Sequence, residues 1–174
     1  SLANSDIPSY IEFSAENRLA MSEVNQLFQG YWDGKSDFSF VQIGEEVDQL
    51  GFTHIRYEQT YKGVPIELAE LIAHTKNNEI YSMNGKVIDQ TPAGTRQSIS
   101  ESVALSLAKK FVGAKTYKWE IPEEEKHLKY ETGNFSATYY PHAEMKYVSK
   151  EIGINPAKLR LTYKFNIYAQ EPLS

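Results

Sequence analysis

The chain reads as an α+β protein: two subdomains, each an antiparallel sheet with a helix packed on it. Three observations carry this. Between residues 52 and 88 three strand-like runs are separated by hairpin-length turn signals, Lys62-Gly63 and Asn77-Asn78, and the third is followed by Asn84-Gly85. Residues 100–112 carry a helical apolar stripe. Residues 159–169 alternate apolar and polar, as a strand buried on one face does. Parallel βαβ winding is disfavoured because consecutive strands are joined by turns too short for a crossover.

The elements follow in order. Residues 1–13 are polar and irregular, with a short strand around 10–13. Ser14 reads as an N-cap, Glu16 suits a first helical turn, and Ala20, Val24, Leu27 and Phe28 form one stripe that Gly30 ends. Residues 31–35 are a turn-rich connection. In 37–44, Phe38, Phe40 and Gln42 oppose Val41 and Ile43, so both faces are partly apolar and the strand reads as interior. Residues 45–50 read as one or two helical turns closed by Gly51.

Residues 52–61, 66–75 and 79–84 form an antiparallel meander. In the first strand Ile55, Tyr57 and Tyr61 share a face, and His54, Arg56 and Glu58 the other. In the second, Ile66, Leu68 and Ile72 oppose Ala69, Leu71 and Ala73, which predicts cover on both sides. Asn84-Gly85 is the strongest hairpin signal, since both residues tolerate positive φ. Residues 89–97, DQTPAGTRQ, lack periodicity and read as the linker between subdomains.

Ser98-Ile99-Ser100-Glu101 fits a capping box. Val103, Leu107 and Phe111 then recur every four residues until Gly113. Residues 115–121 read as a strand, 122–126 as a charged loop or a helix start, 135–140 and 143–148 as strands, and 153–158 as a turn.

Composition narrows the function. A chain of 174 residues buries roughly two thirds of its unfolded surface and needs no disulfide or metal to fold. It has no Cys, which excludes a disulfide scaffold, a cysteine nucleophile and a thiolate zinc site. Net charge is -5 and no basic stripe appears, which argues against a nucleic-acid partner. No apolar run reaches the length of a membrane span, and the first residues lack the pattern of a signal peptide.

Motifs with their own chemistry are absent: no HExxH, Walker loop, GxSxG or GxGxxG occurs. His54, His74, His127 and His142 are not at metal-ligand spacing. A simple hairpin register places Tyr57 near Leu68, so His54 and His74 are expected not to pair and to be ordinary imidazoles. Glu67 and Glu70 lie in the second strand, with Glu58 opposite Glu67; these acids are either an acid/base dyad, or a solvated edge or a salt bridge to Arg56, and the second reading is preferred. The Tyr-rich strands either line a pocket or are core with wet hydroxyls, again with the second preferred. Glu123-Glu124-Glu125 reads as a solvated loop.

One stretch carries a family resemblance. His54, Arg56, Tyr57, Gln59, Thr60, Tyr61, Gly63 and Pro65, then Glu70, Ser82, Asn84 and Gly85, match in order the pattern of the fungalysin/thermolysin propeptide domain, which the chain therefore resembles. The second half looks like a PepSY domain, a cystatin-like companion of that domain. The likeness lies in helix 100–112, Gly113-Ala114, Trp119, Ala143-Glu144-Met145-Lys146-Tyr147-Val148 and strand 159–169. The implied layout is an arm and helix at 1–36, the propeptide-like domain at 37–90 and the PepSY-like domain at 97–174.

The resemblance implies the propeptide of a secreted or periplasmic thermolysin-like zinc metallopeptidase. It would act as intramolecular chaperone and inhibitor of a cognate catalytic domain, its partner. On this reading the chain is not itself an enzyme. It holds no cofactor, zinc belongs to the catalytic domain, and His54, Arg56, Tyr57, Gln59, Tyr61, Gly63, Pro65, Asn84 and Gly85 are framework. Tyr163, Phe165, Tyr168 and Glu171 are the expected partner contacts. Family members usually run on through one more strand, so the chain is expected to be an excised prodomain, its last domain truncated, or a natural stand-alone relative. Two rivals stand beside this: a module acting in trans on a secreted peptidase, and a small enzyme with a Tyr-lined pocket.

Overall fold

The computed structural model describes residues 7–29 and 37–171. The expectations for residues 1–6, the Gly30 stop, the 31–35 turn and the tail at 172–174 lie outside them. Eleven α and β elements follow in order among the described residues. They are β1 (Tyr10–Glu12), β2 (Leu19–Ala20), α1 (Val24–Gln29), β3 (Phe38–Val47), β4 (Thr53–Tyr61), β5 (Val64–Lys76) and β6 (Glu79–Lys86), then α2 (Glu101–Val112), α3 (Pro122–Thr132), β7 (Glu144–Ser149) and β8 (Leu159–Lys164). The class is α+β, with eight strands in one mixed sheet and three α-helices. The backbone of the sheet runs β1-β6-β5-β4-β3, antiparallel throughout. Ile66 of β5 bridges Tyr147 of β7 in parallel, and that bridge makes the sheet mixed.

The chain divides into two compact units. One comprises residues 1–96 and 146–161, the other 97–145 and 162–174, so the division falls inside β7 and β8. The first unit holds the meander and the apolar core. Ile55, Leu71, Ala73 and Met83 point inward from β4, β5 and β6, against Val24 and Phe28 of α1 and Phe38 and Phe40 of β3. Aromatic rings meet edge-on, Phe28 with Phe40 at 4.9 Å and Tyr61 with Tyr147 at 5.9 Å, the arrangement their quadrupoles favour. Tyr57, Tyr61 and Tyr147 belong to this core, as the preferred reading of the Tyr-rich strands had it.

Several expectations are corrected here. The helix expected from Ser14 is broken: a 3-10 turn at 15–17 is followed by β2, and only 21–29, a 3-10 turn leading into α1, is continuously helical. Leu19 and Ala20 pair instead with Ile80 and Glu79, and Arg18 stacks on Tyr81 at 3.7 Å, so strand pairing overrides helix periodicity. β3 is an edge strand rather than an interior one, with Phe38 and Phe40 buried and Val41 and Ile43 exposed. The expected turns of helix at 45–50 are the end of β3 followed by a tight turn. There Asp48 accepts from the backbone N–H groups of Leu50 and Phe52.

Asn84-Gly85 is not a turn. Both residues lie inside β6, and the β5–β6 hairpin is closed by Asn77 and Asn78 at φ 53° and 65°. Gly85 is needed for close approach: a Cβ there would sit 2.1 Å from the Glu70 carbonyl oxygen. β5 is not covered on both faces, because Leu68 is exposed and Ile72 only half-buried.

In the second unit Ser100 caps α2 and Gly113 ends it in the left-handed region. The cap is Ser100, not Ser98. The stripe of Val103, Leu107 and Phe111 is exposed, and α2 buries no residue, so among the described residues it is not the packed helix expected. Residues 122–126 open α3, where Pro122 takes the first turn and three Glu face the positive helix end. The acids are not a solvated loop: Glu124 pairs with Lys118, and Glu125 accepts from the Thr138 hydroxyl and the Tyr139 N–H. The latter bonds hold 135–140 as an irregular loop where a strand was expected. Residues 115–121 contain a single helical turn at 118–120 and one bridge, Tyr117 to Ala169, in place of a strand. β8 ends at Lys164, although exposure keeps alternating to Gln170.

Candidate functional site

β4 and β5 begin from Lys62-Gly63 in ordinary hairpin register, with Tyr61 opposite Val64 and Thr60 opposite Pro65. The register then jumps. Glu58 faces Glu70, so Ile66, Glu67, Leu68 and Ala69 stand opposite Gln59 alone. Such a bulge unpairs one strand and changes its parity. Ile66 turns into the core with Ala69 and Leu71, and Leu68 takes φ 65°. Gln59 occupies the gap fully buried. Its amide donates to the Ile88 carbonyl at 2.7 Å and accepts from the Ile88 N–H at 2.8 Å, standing in for a strand partner.

The shift decides what meets on the polar face. Glu46, His54, His74, Ser82 and Glu12 align in one row across β3, β4, β5, β6 and β1. The next row is Gly44, Arg56, Ile72, Asn84 and Tyr10. His54 and His74 therefore pair directly, against the expectation, with Nδ1 atoms 2.7 Å apart. The other ring nitrogens are also engaged: His54 Nε2 lies 3.1 Å from Asp48 Oδ2, and His74 Nε2 lies 2.5 Å from Asn84 Oδ1. The Phe52 N–H, the Leu50 N–H and His54 hold the Asp48 carboxyl below its ordinary value, against a smaller desolvation effect. A shallow cleft of about 510 Å³ lies here, lined by Gly44, Glu45, Glu46, His54, Arg56, Ile72 and His74.

The acidic pairs resolve into ion pairs. Arg56 binds Glu70 at 2.8 Å, the bland reading of these acids. Glu58 and Glu67 share Lys146, at 2.8 and 2.7 Å. Desolvation lowers the Lys146 ammonium, but hydrogen bonds and charge from Glu58 and Glu67 outweigh it and leave it raised. Lys146 lies in the stretch that carries the PepSY likeness, but no sequence signal pointed to its pairing with Glu58 and Glu67. Asp48 had one, since an Asp three residues before a Gly is a common side-chain-capped turn.

The remaining framework residues divide between turn and core. Gly63 takes φ 75° in the first hairpin beside Lys62 at 51°, and Pro65 is the second residue of β5. Of the expected contact residues, Tyr163 and Phe165 stack with centroids 6.2 Å apart and are half-buried, Tyr168 packs on Tyr139 at 5.1 Å, and Glu171 is exposed. Among the described residues no group of three or more His, Cys, Asp or Glu could hold a metal ion. Among the described residues no helix is long and apolar enough to cross a membrane.

Comparison with known proteins places this geometry. The Fungalysin/Thermolysin Propeptide Motif matches residues 39–87, which span nearly all of β3 to β6. The chain is 31% identical over 105 residues to bacillolysin of Bacillus subtilis (strain 168), covering 59% of the chain and 20% of that protein. It is 36% identical over 86 residues to thermolysin of Alicyclobacillus acidocaldarius subsp. acidocaldarius, 48% of the chain and 16% of that protein. Against bacillolysin of Bacillus amyloliquefaciens it is 27% identical over 175 residues, 99% of the chain and 29% of the relative. The chain thus spans less than a third of the length of these curated relatives. By this motif and these relatives, residues 39–87 are propeptide-motif sequence of the fungalysin/thermolysin kind, and the chain is similar to a part of each thermolysin-like relative.

Proposed function

We propose that the chain serves a thermolysin-like zinc metallopeptidase as both intramolecular chaperone and inhibitor, in a secreted zymogen. The observation that carries this is the propeptide motif at 39–87, set in a match to bacillolysin that runs along almost the whole chain. The physical design suits the role. The meander is a scaffold with a buried core, and β3 lies at the edge of the sheet with Val41, Ile43 and Val47 exposed. The partner is the catalytic domain, which supplies the zinc and the hydrolytic chemistry. We assign 37–90 to the propeptide-like domain and 97–174 to a PepSY-like, cystatin-like domain. Contact with the enzyme is assigned to Tyr163, Phe165, Tyr168 and Glu171.

The test is refolding of the separately produced catalytic domain with and without this chain, read by hydrolysis of a peptide substrate. Recovery should rise at least tenfold with the chain present, and added chain should inhibit the native enzyme. Removal of 162–174, which spares Leu159 and Leu161 of the core, should abolish binding. A chain that neither raises recovery nor inhibits would refute the reading. Unchanged binding by the truncated chain would refute the contact assignment alone.

A further inference from the structure

We propose that Asp48, His54, His74 and Asn84 form a proton-counting relay that tolerates at most one positive charge on its two imidazoles and opens when a second proton binds, so that acid loosens the β4–β5–β6 ladder. The inference concerns the ladder itself and stands whichever partner the chain has.

Hydrogen bonding at the two ends fixes the middle. Asp48 is an acceptor: its Oδ1 receives the N–H groups of Leu50 and Phe52, at 2.8 and 2.9 Å, and its Oδ2 faces His54 Nε2. His54 Nε2 must then carry a proton. At the other end His74 Nε2 donates to Asn84 Oδ1. A neutral imidazole protonated at Nε2 has only a lone pair at Nδ1. Two such lone pairs would meet at 2.7 Å, and one shared proton turns that contact into a charge-assisted hydrogen bond. The relay in this arrangement holds one imidazolium.

Losing that proton leaves the relay connected. Rotating the Asn84 amide by 180° presents its NH₂ to His74 Nε2, and His74 then donates from Nδ1 to His54 Nδ1. Gaining a second proton has no such remedy. Both Nδ1 atoms become donors, facing each other across 2.7 Å, with two charged rings whose centroids are 4.9 Å apart. The pair must separate, and it bridges two strands in direct register.

The charged neighbours do not relieve the second proton. Glu46 stands opposite His54 on β3, Glu45 and Arg56 line the same cleft, and Arg56 is held by Glu70. β6 presents Ser82 and Asn84, and β1 places Glu12 beyond Ser82. None of these supplies an acceptor between the two Nδ1 atoms.

The experiment is urea unfolding of the whole chain in EDTA-containing buffer from pH 8 to pH 5, wild type beside the His54→Gln/His74→Gln variant. Unfolding that takes up one proton raises the unfolding constant about tenfold per pH unit. Wild type should show this dependence below about pH 6.5, where imidazoles gain charge. The double variant should change less than twofold per unit, with the exposed His127 and His142 as the internal background. Equal dependence in both proteins would overturn the relay. Should the variant not fold, imidazole ¹H–¹⁵N spectra of wild type decide. Linked titration of the two rings, with His54 Nε2 protonated throughout, is the expected result, and independent titration of two unlinked rings overturns it.

Discussion

At the scale of single residues, two side chains replace what the backbone cannot provide. Gln59 satisfies both polar groups of Ile88 from a fully buried position. Replacing it with Met keeps the volume but leaves a buried donor and acceptor unmade. We expect Gln59→Met to cost about 2–4 kcal/mol in urea unfolding, and Gln59→Glu to be worse, because a carboxylate cannot donate to the Ile88 carbonyl. Lys146 neutralises Glu58 and Glu67 at once. Lys146→Met should cost about 2–3 kcal/mol by leaving two partly buried carboxylates without a cation. Its pH dependence has a definite sign. The folded ammonium is raised above 10.5, so its contribution is complete below pH 10.5 and fades as pH climbs through the higher folded value. Wild type should therefore lose stability relative to Lys146→Met only in strongly alkaline buffer, as read from the urea midpoint between pH 9 and 12.

At the scale of elements, the bulge in β5 governs the meander. Leu68 sits at its apex with φ 65° and 60% of its surface exposed, so it bears backbone strain with little burial to offset it. Leu68→Asn should be neutral or slightly stabilising, since Asn tolerates this region. Leu68→Val should destabilise by about 1 kcal/mol, and thermal melts of the two variants check the order. Gly85 lets β6 approach β5 where the Glu70 carbonyl leaves no room for a Cβ. Gly85→Ala should cost about 3 kcal/mol through forced backbone displacement, whereas Gly51→Ala has open space and pays only its φ of 79°, about 1 kcal/mol.

At the scale of the whole molecule, the two units differ in how they are stabilised. The first holds the contiguous core, from Ile55 and Met83 to Phe28 and Leu159. In the second, α2 and α3 bury no residue, and stability rests on local devices such as Tyr117 stacked on Trp119 at 4.4 Å and bonded through its hydroxyl to the Lys109 carbonyl. Hydrogen exchange should reflect this, since opening free energy follows buried apolar contact. Amides of β4 and β5 should exchange at least a hundredfold more slowly than those of α2 and α3 in native buffer. Equal protection would contradict the assignment of the core to the first unit.

The elements legible in the sequence are those whose cause is local. Residues 53–61, 64–76 and 79–86 alternate, Lys62-Gly63 and Asn77-Asn78 tolerate positive φ, and Ser100 and Gly113 bracket a helix, so strands, hairpins and caps follow from neighbours in the chain. The motif from His54 to Gly85 marked the same stretch as propeptide framework. Only the tertiary structure decided the register of β4 on β5, and with it the meeting of His54 with His74. Periodicity has no memory of an inserted bulge. This one is held by Gln59 bonding Ile88, by Ile66 bridging Tyr147 and by the room Gly85 leaves, contacts between residues far apart in sequence. The same reason accounts for 14–29, where pairing of Leu19 with Ile80 outweighed a helical stripe, and for Asn84-Gly85, where close packing and not a turn required the glycine.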